Sequence, residues 1–141
     1  AGNVWNTKKC TELASRLAIN FNAYIFISEG PADGKYVSEM ESVLKHKYNL
    51  KETVRHCGVL MNNTALISML DLFITNDTGI MHLAAGLSVP MTALFGPTNA
   101  YEWGPIGENK ISVQSSTQDI NEISVEKVYE VCEAMLSKRK N

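Results

Sequence analysis

The chain has 141 residues, of which 45% are hydrophobic and 20% are charged. This composition is close to the globular average, which excludes a disordered or low-complexity protein, and the length predicts a single domain. Thirteen basic and fifteen acidic side chains give a net charge of −2. That balance excludes a nucleic-acid footprint spread over the whole surface, although it leaves room for a local phosphate site.

Cysteine usage and hydropathy exclude further classes. Cys10, Cys57 and Cys132 are widely spaced and form no CxxC pair, so we expect neither a disulfide scaffold nor a zinc site, and a reducing compartment fits best. No basic segment leads an apolar stretch at the start, so we expect no signal peptide. The uncharged stretch at 78–101 is interrupted by glycines and prolines, which argues against a transmembrane helix.

Helical and strand patterns alternate along the first half of the chain. Apolar residues at helical spacing predict a first helix that ends near Phe21, with Asn6 or Thr7 as its N-cap. The continuous apolar run at 23–28 is typical of a strand buried on both faces. A loop at 29–34 then precedes an amphipathic helix at 36–48.

The same alternation continues through the second half. We predict, in order, a strand at 53–57, a helix at 63–70, a strand at 72–75, a helix at 79–87, a strand at 91–95, a loop at 96–107, a strand at 110–114 and a helix capped by Ser124. Short connections between apolar strands and amphipathic helices are typical of an α/β fold. We therefore predict a Rossmann-like, doubly wound parallel sheet with helices on both faces, in which strands 72–75 and 91–95 are adjacent and central. A doubly wound domain normally opens with a strand, so we expect the chain to begin inside a larger protein.

The turn from strand 72–75 into the next helix carries the strongest local signal. Ligands of open parallel sheets bind beyond the carboxyl ends of the strands, and a helix start there offers free N–H groups to a phosphate. Gly79 permits close approach of a ligand to the backbone, and Thr78 adds a hydroxyl donor. Asp77 would cap the helix or accept hydrogen bonds from sugar hydroxyls. The alternative for this turn is a plain capped helix.

Other candidates near this edge each have a structural alternative. His82 either donates to a phosphate or sugar oxygen, or is a buried histidine bonded to the next strand. Asp33 either contacts a ligand or caps the helix that follows it. The Gly96-to-Asn99 loop either admits a ligand or forms a rigid strand exit, and Tyr101 and Trp103 either stack on a sugar or base or close the core.

Several common fingerprints are missing from the sequence. There is no GxGxxG and no GxxxxGK[ST] motif, so the usual dinucleotide and P-loop sites are not predicted. His46 lies between two lysines, and His56 has no evident partner. The histidine spacing indicates no metal site, and no motif marks a catalytic triad.

Three segments together resemble the heptosyltransferase family, glycosyltransferase family 9. These are the segment from Asn76 to Ala85 (NDTGIMHLAA), the segment from Val89 to Thr98 with its VP and ALFGPT motifs, and Trp103-Gly104-Pro105. Their order, strand then turn then helix then strand, is the order that the fold requires. The match resembles the C-terminal half of such an enzyme and covers nearly all 141 residues.

The resemblance implies a GT-B fold, in which two Rossmann-like domains face each other across a cleft. Residues 1–141 would form the C-terminal domain that binds the nucleotide-sugar donor, without its first strand and without the N-terminal acceptor domain. It implies transfer of heptose or a related sugar from an ADP-sugar to the lipopolysaccharide core or a related glycan. No metal or other cofactor is expected, and the general base would come from the N-terminal domain. The implied location is cytoplasmic, peripheral to the inner face of the bacterial inner membrane.

The resemblance also assigns residues to the donor. Asp77, Thr78, Gly79 and His82 correspond to the donor-binding motif, and Ile80 and Met81 would supply backbone N–H groups near the pyrophosphate. Asp33 stands where the family usually has a glutamate that meets the nucleoside. The adenine would lie near residues 58–60.

This chain departs from the family pattern at one informative position. The family usually has a lysine two residues before the tryptophan that matches Trp5, and that lysine contacts the donor phosphate. Here the position is Asn3, which lacks the compensating charge and points to a different donor or a weakened enzyme. Two alternatives therefore remain: a non-catalytic nucleotide-binding module of the same fold, and a GT-B-like nucleotide-sugar epimerase. An upstream Rossmann-like half with a carboxylate in the cleft would favour the transferase.

Overall fold

A computed structural model of the chain describes residues 4–28, 34–56, 64–76 and 79–139. These residues divide into two compact units. The N-terminal unit spans residues 6–62, and the C-terminal unit comprises residues 63–141 together with the first five residues. Asp33, Asp77 and Thr78 lie outside the described residues, as do Asn3 and the segment 58–60.

The N-terminal unit alternates helices and strands in the order α1 (Thr7–Phe21), β1 (Ile25–Ile27), α2 (Gly34–His46) and β2 (Val54–His56). The Asn6 side chain accepts a hydrogen bond from the Lys8 N–H at 2.8 Å, which confirms Asn6 as the N-cap of α1. Strands β1 and β2 pair in parallel. Packing around them is apolar, because Ile27, Val37, Leu44 and Val54 form a buried hydrophobic cluster.

The C-terminal unit contains α3 (Thr64–Ser68), β3 (Phe73–Asn76), α4 (Gly79–Ala85), β4 (Met91–Phe95), α5 (Ala100–Trp103), β5 (Lys110–Gln114), a short 3-10 helix (Ile120–Glu122) and α6 (Val125–Arg139). Its three strands form a parallel sheet in the order β3-β4-β5. Every residue of β4 is buried, as its uninterrupted apolar sequence predicts for a strand covered on both faces.

Helix α6 packs against β4 through a buried polar contact. The Thr92 hydroxyl of β4 is fully buried and donates to the Met135 sulfur at 3.2 Å, while the Cys132 thiol donates to the same hydroxyl oxygen at 3.8 Å. Ser124 caps the helix, because its hydroxyl accepts from the Lys127 N–H at 3.1 Å. The predicted cap of the last helix is confirmed.

The predicted α/β class with parallel pairing is confirmed, and strands 72–75 and 91–95 are neighbours as expected. Among the described residues, however, only β4 lies between two strands, because β3 stands at one end of the three-strand order. Helix α3 is shorter than predicted, α4 ends two residues early at Ala85, and the predicted loop at 96–107 contains α5. These differences arise where short segments are held by contacts distant in sequence, which periodicity does not register.

Candidate functional site

The strand and the helix predicted on either side of residue 77 are present. β3 ends at Asn76 and α4 begins at Gly79, so the connection consists of Asp77 and Thr78 alone. Because β3 is part of a parallel sheet, this connection lies at the carboxyl edge of the strands, where ligands of this architecture bind.

Two neighbouring residues of α4 have opposite environments. Met81 is fully buried, so its side chain is not available to a ligand. His82 is exposed, which makes the alternative of a buried histidine bonded to the next strand wrong. Exposure near the start of α4 leaves the imidazole free to meet a molecule bound at this edge.

Trp5 bonds the segment ahead of α1 to the carboxyl end of β3, and the sequence did not predict this contact. Its side chain is 2% exposed, and its indole N–H donates to the carbonyl of Ile123 at 3.0 Å. Its backbone N–H donates to the side-chain oxygen of Asn76, the last residue of β3, at 3.3 Å. The segment ahead of α1 is therefore held beside the turn that carries the candidate phosphate site. The only signal for this role was a tryptophan in an otherwise polar stretch.

The Gly96-to-Asn99 loop leaves β4 at the same edge and is held by Gln114, at the end of β5. The Gln114 side-chain amide donates to the carbonyl of Gly96 at 2.9 Å and to that of Phe95 at 3.3 Å. Its side-chain oxygen accepts from the Ala100 N–H at 2.7 Å. This fits the predicted rigid strand exit, while the role of the loop toward a ligand stays a prediction. Tyr101 is 97% exposed, so its predicted alternative of burial is wrong.

Several predicted site residues are not placed by the structure. Asp33, Asp77 and Thr78 lie outside the described residues, and so does the proposed adenine segment at 58–60. Only the backbone is described for Gly79 and Ile80, which open α4. The assignment of these residues to a donor therefore stays a prediction.

A groove of about 320 Å³ lies elsewhere in the C-terminal unit, between β5 and the first turns of α6. Ser115, Ser124 and Lys127 are among the residues that line it. Neither Met81 nor His82 borders it. This groove is consequently separate from the predicted donor turn.

The described ranges contain neither a cluster of metal-ligating side chains nor a helix that could cross a membrane. No three His, Cys, Asp or Glu side chains there are grouped as a metal site would need, and the expectation that no metal is required stays a prediction. Each helix in those ranges is too short or too polar to span a bilayer.

Burial raises the pKa of the Cys10 thiol to about 12. Burial also raises the pKa of the Cys132 thiol to about 11, although a hydrogen bond with Thr92 acts in the opposite direction. Both thiols stay protonated at neutral pH, so neither is an activated nucleophile.

Comparison with known proteins decides the family. The family model described as glycosyltransferase family 9 (heptosyltransferase) matches residues 4–132, which is most of the chain. The chain belongs to glycosyltransferase family 9. The resemblance found in the sequence is thereby confirmed. Lipooligosaccharide heptosyltransferase 2 of Campylobacter jejuni serotype O:2 is 34% identical over 100 residues, which cover 64% of this chain and 30% of that protein.

Solved structures of family 9 heptosyltransferases share the fold. E. coli ADP-heptose LPS heptosyltransferase II superposes with a TM-score of 0.83 at 21% identity, over 99% of this chain and 44% of that one. An E. coli heptosyltransferase solved with ADP-2-deoxy-2-fluoro heptose gives 0.74 at 19% identity, over 95% and 39%. The predicted fold class, a Rossmann-like half of a GT-B glycosyltransferase, is confirmed. The family 9 chain described here spans less than half the length of these relatives.

Proposed function

We propose that this chain is the donor-binding half of an inverting heptosyltransferase and binds an ADP-sugar at the carboxyl edge of β3. The observation that carries the proposal is the family 9 sequence segment NDTGIMH, because its described residues end a parallel strand and begin the helix that follows. A helix start at this edge presents free N–H groups and the positive end of the helix dipole.

Each residue of the segment has a distinct role in this proposal. The backbone N–H groups of Gly79, Ile80 and Met81 bind the diphosphate, and the exposed His82 donates to a phosphate or sugar oxygen. Asp77 caps the helix or accepts from sugar hydroxyls, and Thr78 donates its hydroxyl. Asp33 contacts the nucleoside.

The remaining partners follow from the family. Sugar transfer needs a positioned donor, acceptor and base, so a second Rossmann-like domain of the whole protein supplies the acceptor site and the general base. The acceptor is the lipopolysaccharide core or a related glycan, reached from the cytoplasmic face of the inner membrane. The lengths of the relatives support this division, since this chain spans only 30% of the curated relative and 44% of the solved one.

A further strand upstream of residue 4 completes the proposed domain. β3 pairs with β4 on one side and, among the described residues, with no strand on the other. The hydrogen bond from Trp5 to Asn76 brings the preceding chain to the carboxyl end of β3, which is where a parallel neighbour of β3 would also end.

Nucleotide titration followed by NMR tests the proposal directly. We expect ADP to shift the amide signals of residues 79–82 and those near Asp33 more strongly than UDP does, at low salt where screening is weakest. Gly79→Val should abolish these shifts, because a side chain there would fill the space of the phosphate. Since no metal is expected, EDTA should leave the shifts unchanged.

His82→Ala provides a second variant in case the Gly79 substitution impairs folding. The exposed position predicts a normal fold, and loss of one hydrogen bond to a charged group should weaken ADP binding by about tenfold. Leu83→Ala, at the next and also exposed position, is the matched control and should bind ADP normally. Shifts that cluster elsewhere, or that survive both substitutions, would mean that the Asp77 turn is only a helix cap.

A further inference from the structure

The turn between β4 and α5 is held by side chains that occupy its polar groups. Gln114 bonds to the carbonyls of Phe95 and Gly96 and to the N–H of Ala100. The Asn99 side-chain oxygen accepts from the Tyr101 N–H at 2.9 Å. The first two N–H groups of α5 are therefore already paired within the protein.

The other end of α5 is packed against β5. The Gly104 N–H donates to the carbonyl of Ala100 at 2.8 Å. A Cβ at Gly104 would lie 2.5 Å from that carbonyl oxygen and 2.7 Å from the Ser112 hydroxyl, so this close approach requires glycine. Both ends of α5 are thus fixed, and the helix is a firm support for the side chains that it carries.

This support presents Tyr101, which is 97% exposed. The residue follows the carboxyl end of β4, and β4 is the direct neighbour of β3 in the sheet. Because β3 and β4 run in parallel, about 4.8 Å apart, the chain leaves both strands at the same edge of the sheet, toward α4 and α5 respectively. An aromatic ring without intramolecular cover, held on a fixed turn at a ligand edge, is well suited to contact a ligand.

We propose that Tyr101 is a sugar-contacting residue, with its ring packed on the apolar face of a pyranose. The inference rests on the proposed function, because it takes the start of α4 as the diphosphate site. A sugar joined to a diphosphate at the start of α4, or an acceptor sugar aligned with it, would lie close to the end of β4, because β4 is the strand beside β3. Gln114 and Asn99 act through Tyr101 and are positioning residues.

Affinity measurements on the 141-residue chain test this contact with three probes: ADP, ADP-heptose and a lipopolysaccharide inner-core oligosaccharide. Tyr101→Ala should weaken binding of a sugar-bearing probe about three- to tenfold and leave ADP binding unchanged. Tyr101→Phe keeps the ring and should bind within about twofold of the unaltered chain. Tyr24→Ala, which removes a tyrosine that is 67% exposed ahead of β1, is the control and should change none of the affinities.

The pattern across the probes decides between the sources of the sugar. Weakened ADP-heptose binding assigns Tyr101 to the donor sugar, and weakened oligosaccharide binding alone assigns it to the acceptor. Unchanged affinity for both sugar-bearing probes overturns the proposal. If ADP itself fails to shift residues 79–82, the proposed function fails separately, and the oligosaccharide comparison still judges Tyr101.

Discussion

At the scale of single residues, amide side chains at the carboxyl edge of β3 and β4 form hydrogen bonds with the backbone of neighbouring segments. Asn76 accepts from the Trp5 N–H, and Gln114 bonds to three backbone groups around the β4 exit. Each of these amide side chains has both a donor and an acceptor, which lets it bridge segments that regular pairing leaves apart. The exit from β4 is consequently held in place by hydrogen bonds within the protein.

Asn3→Lys should strengthen nucleotide binding. Asn3 precedes Trp5, whose backbone is bonded to the end of β3, and the family has a phosphate-contacting lysine at that position. A restored cation should tighten ADP binding by about three- to tenfold at low salt, and the gain should shrink at high salt because of screening. Isothermal titration at two salt concentrations measures both effects. Asn3→Gln is the neutral control, and an equal gain in that variant would contradict the electrostatic explanation.

At the scale of elements, β4 is stabilised by burial and α6 by the cap at its N-terminus. β4 is buried along its whole length, and α6 packs against it through Cys132 and Met135. In the first turn of α6, the Ser124 hydroxyl accepts from the Lys127 N–H, and the Ser124 carbonyl accepts from the Val128 N–H. An N-cap satisfies a backbone N–H that the helix itself leaves unpaired.

Ser124→Ala should destabilise the C-terminal unit by about 1 kcal/mol, the usual cost of losing a serine N-cap. Urea unfolding followed by circular dichroism measures the change in the free energy of unfolding. Ser137→Ala is the matched control, since Ser137 is exposed near the other end of the same helix and its substitution should leave stability within about 0.5 kcal/mol. Equal losses in the two variants would show that the cap contributes nothing particular.

At the scale of the whole molecule, function and stability draw on different parts of the chain. The proposed donor residues include the exposed His82, whereas burial raises the pKa of both described cysteines. We therefore expect activity and stability to respond to different perturbations.

The free energy of unfolding should fall as pH rises above about 9. The Cys132 thiol has an ordinary pKa of 9.0 that burial raises to about 11, so above pH 9 the unfolded chain releases a proton that the folded chain retains. Each such thiol lowers stability by at most about 1.4 kcal/mol per pH unit until its folded pKa is reached. Denaturant unfolding at a series of pH values between about 7.5 and 10.5 measures how steeply the free energy of unfolding falls with pH.

The change in the free energy of unfolding per pH unit, rather than its value at one pH, tests the role of Cys132. Cys132→Ala removes this titration and should make the decline shallower, with Cys10 still contributing in the same direction because its pKa is also raised. A slope that is the same in the variant and the unaltered chain would contradict the assignment.

The 141-residue chain alone should not transfer sugar, because catalysis in this fold needs donor, acceptor and base positioned across two domains. Release of ADP from ADP-heptose in the presence of an inner-core oligosaccharide measures turnover. A rate above that of the Gly79→Val variant would show that one domain suffices.

The sequence by itself determined the parallel α/β class, the family, and the strand and helix on either side of residue 77. β4 could be predicted because an uninterrupted apolar run has few stable places other than a strand buried on both faces. The start of α4 could be predicted because helix caps and glycine are local signals that need no distant partner. The length of α3 and the presence of α5 could not, since short helices depend on packing more than on their own sequence.

Only the tertiary structure decided which side chains hold the ligand edge. Trp5 bonds to Ile123 across 118 residues, and Gln114 reaches Gly96 across 18, so neither contact leaves a periodic trace in the sequence. The sequence also could not predict that His82 and Tyr101 are exposed, because a histidine or a tyrosine is compatible with either a buried or an exposed position. Local chemistry fixes where turns and caps form, whereas burial and long-range hydrogen bonds depend on which segments the fold brings together.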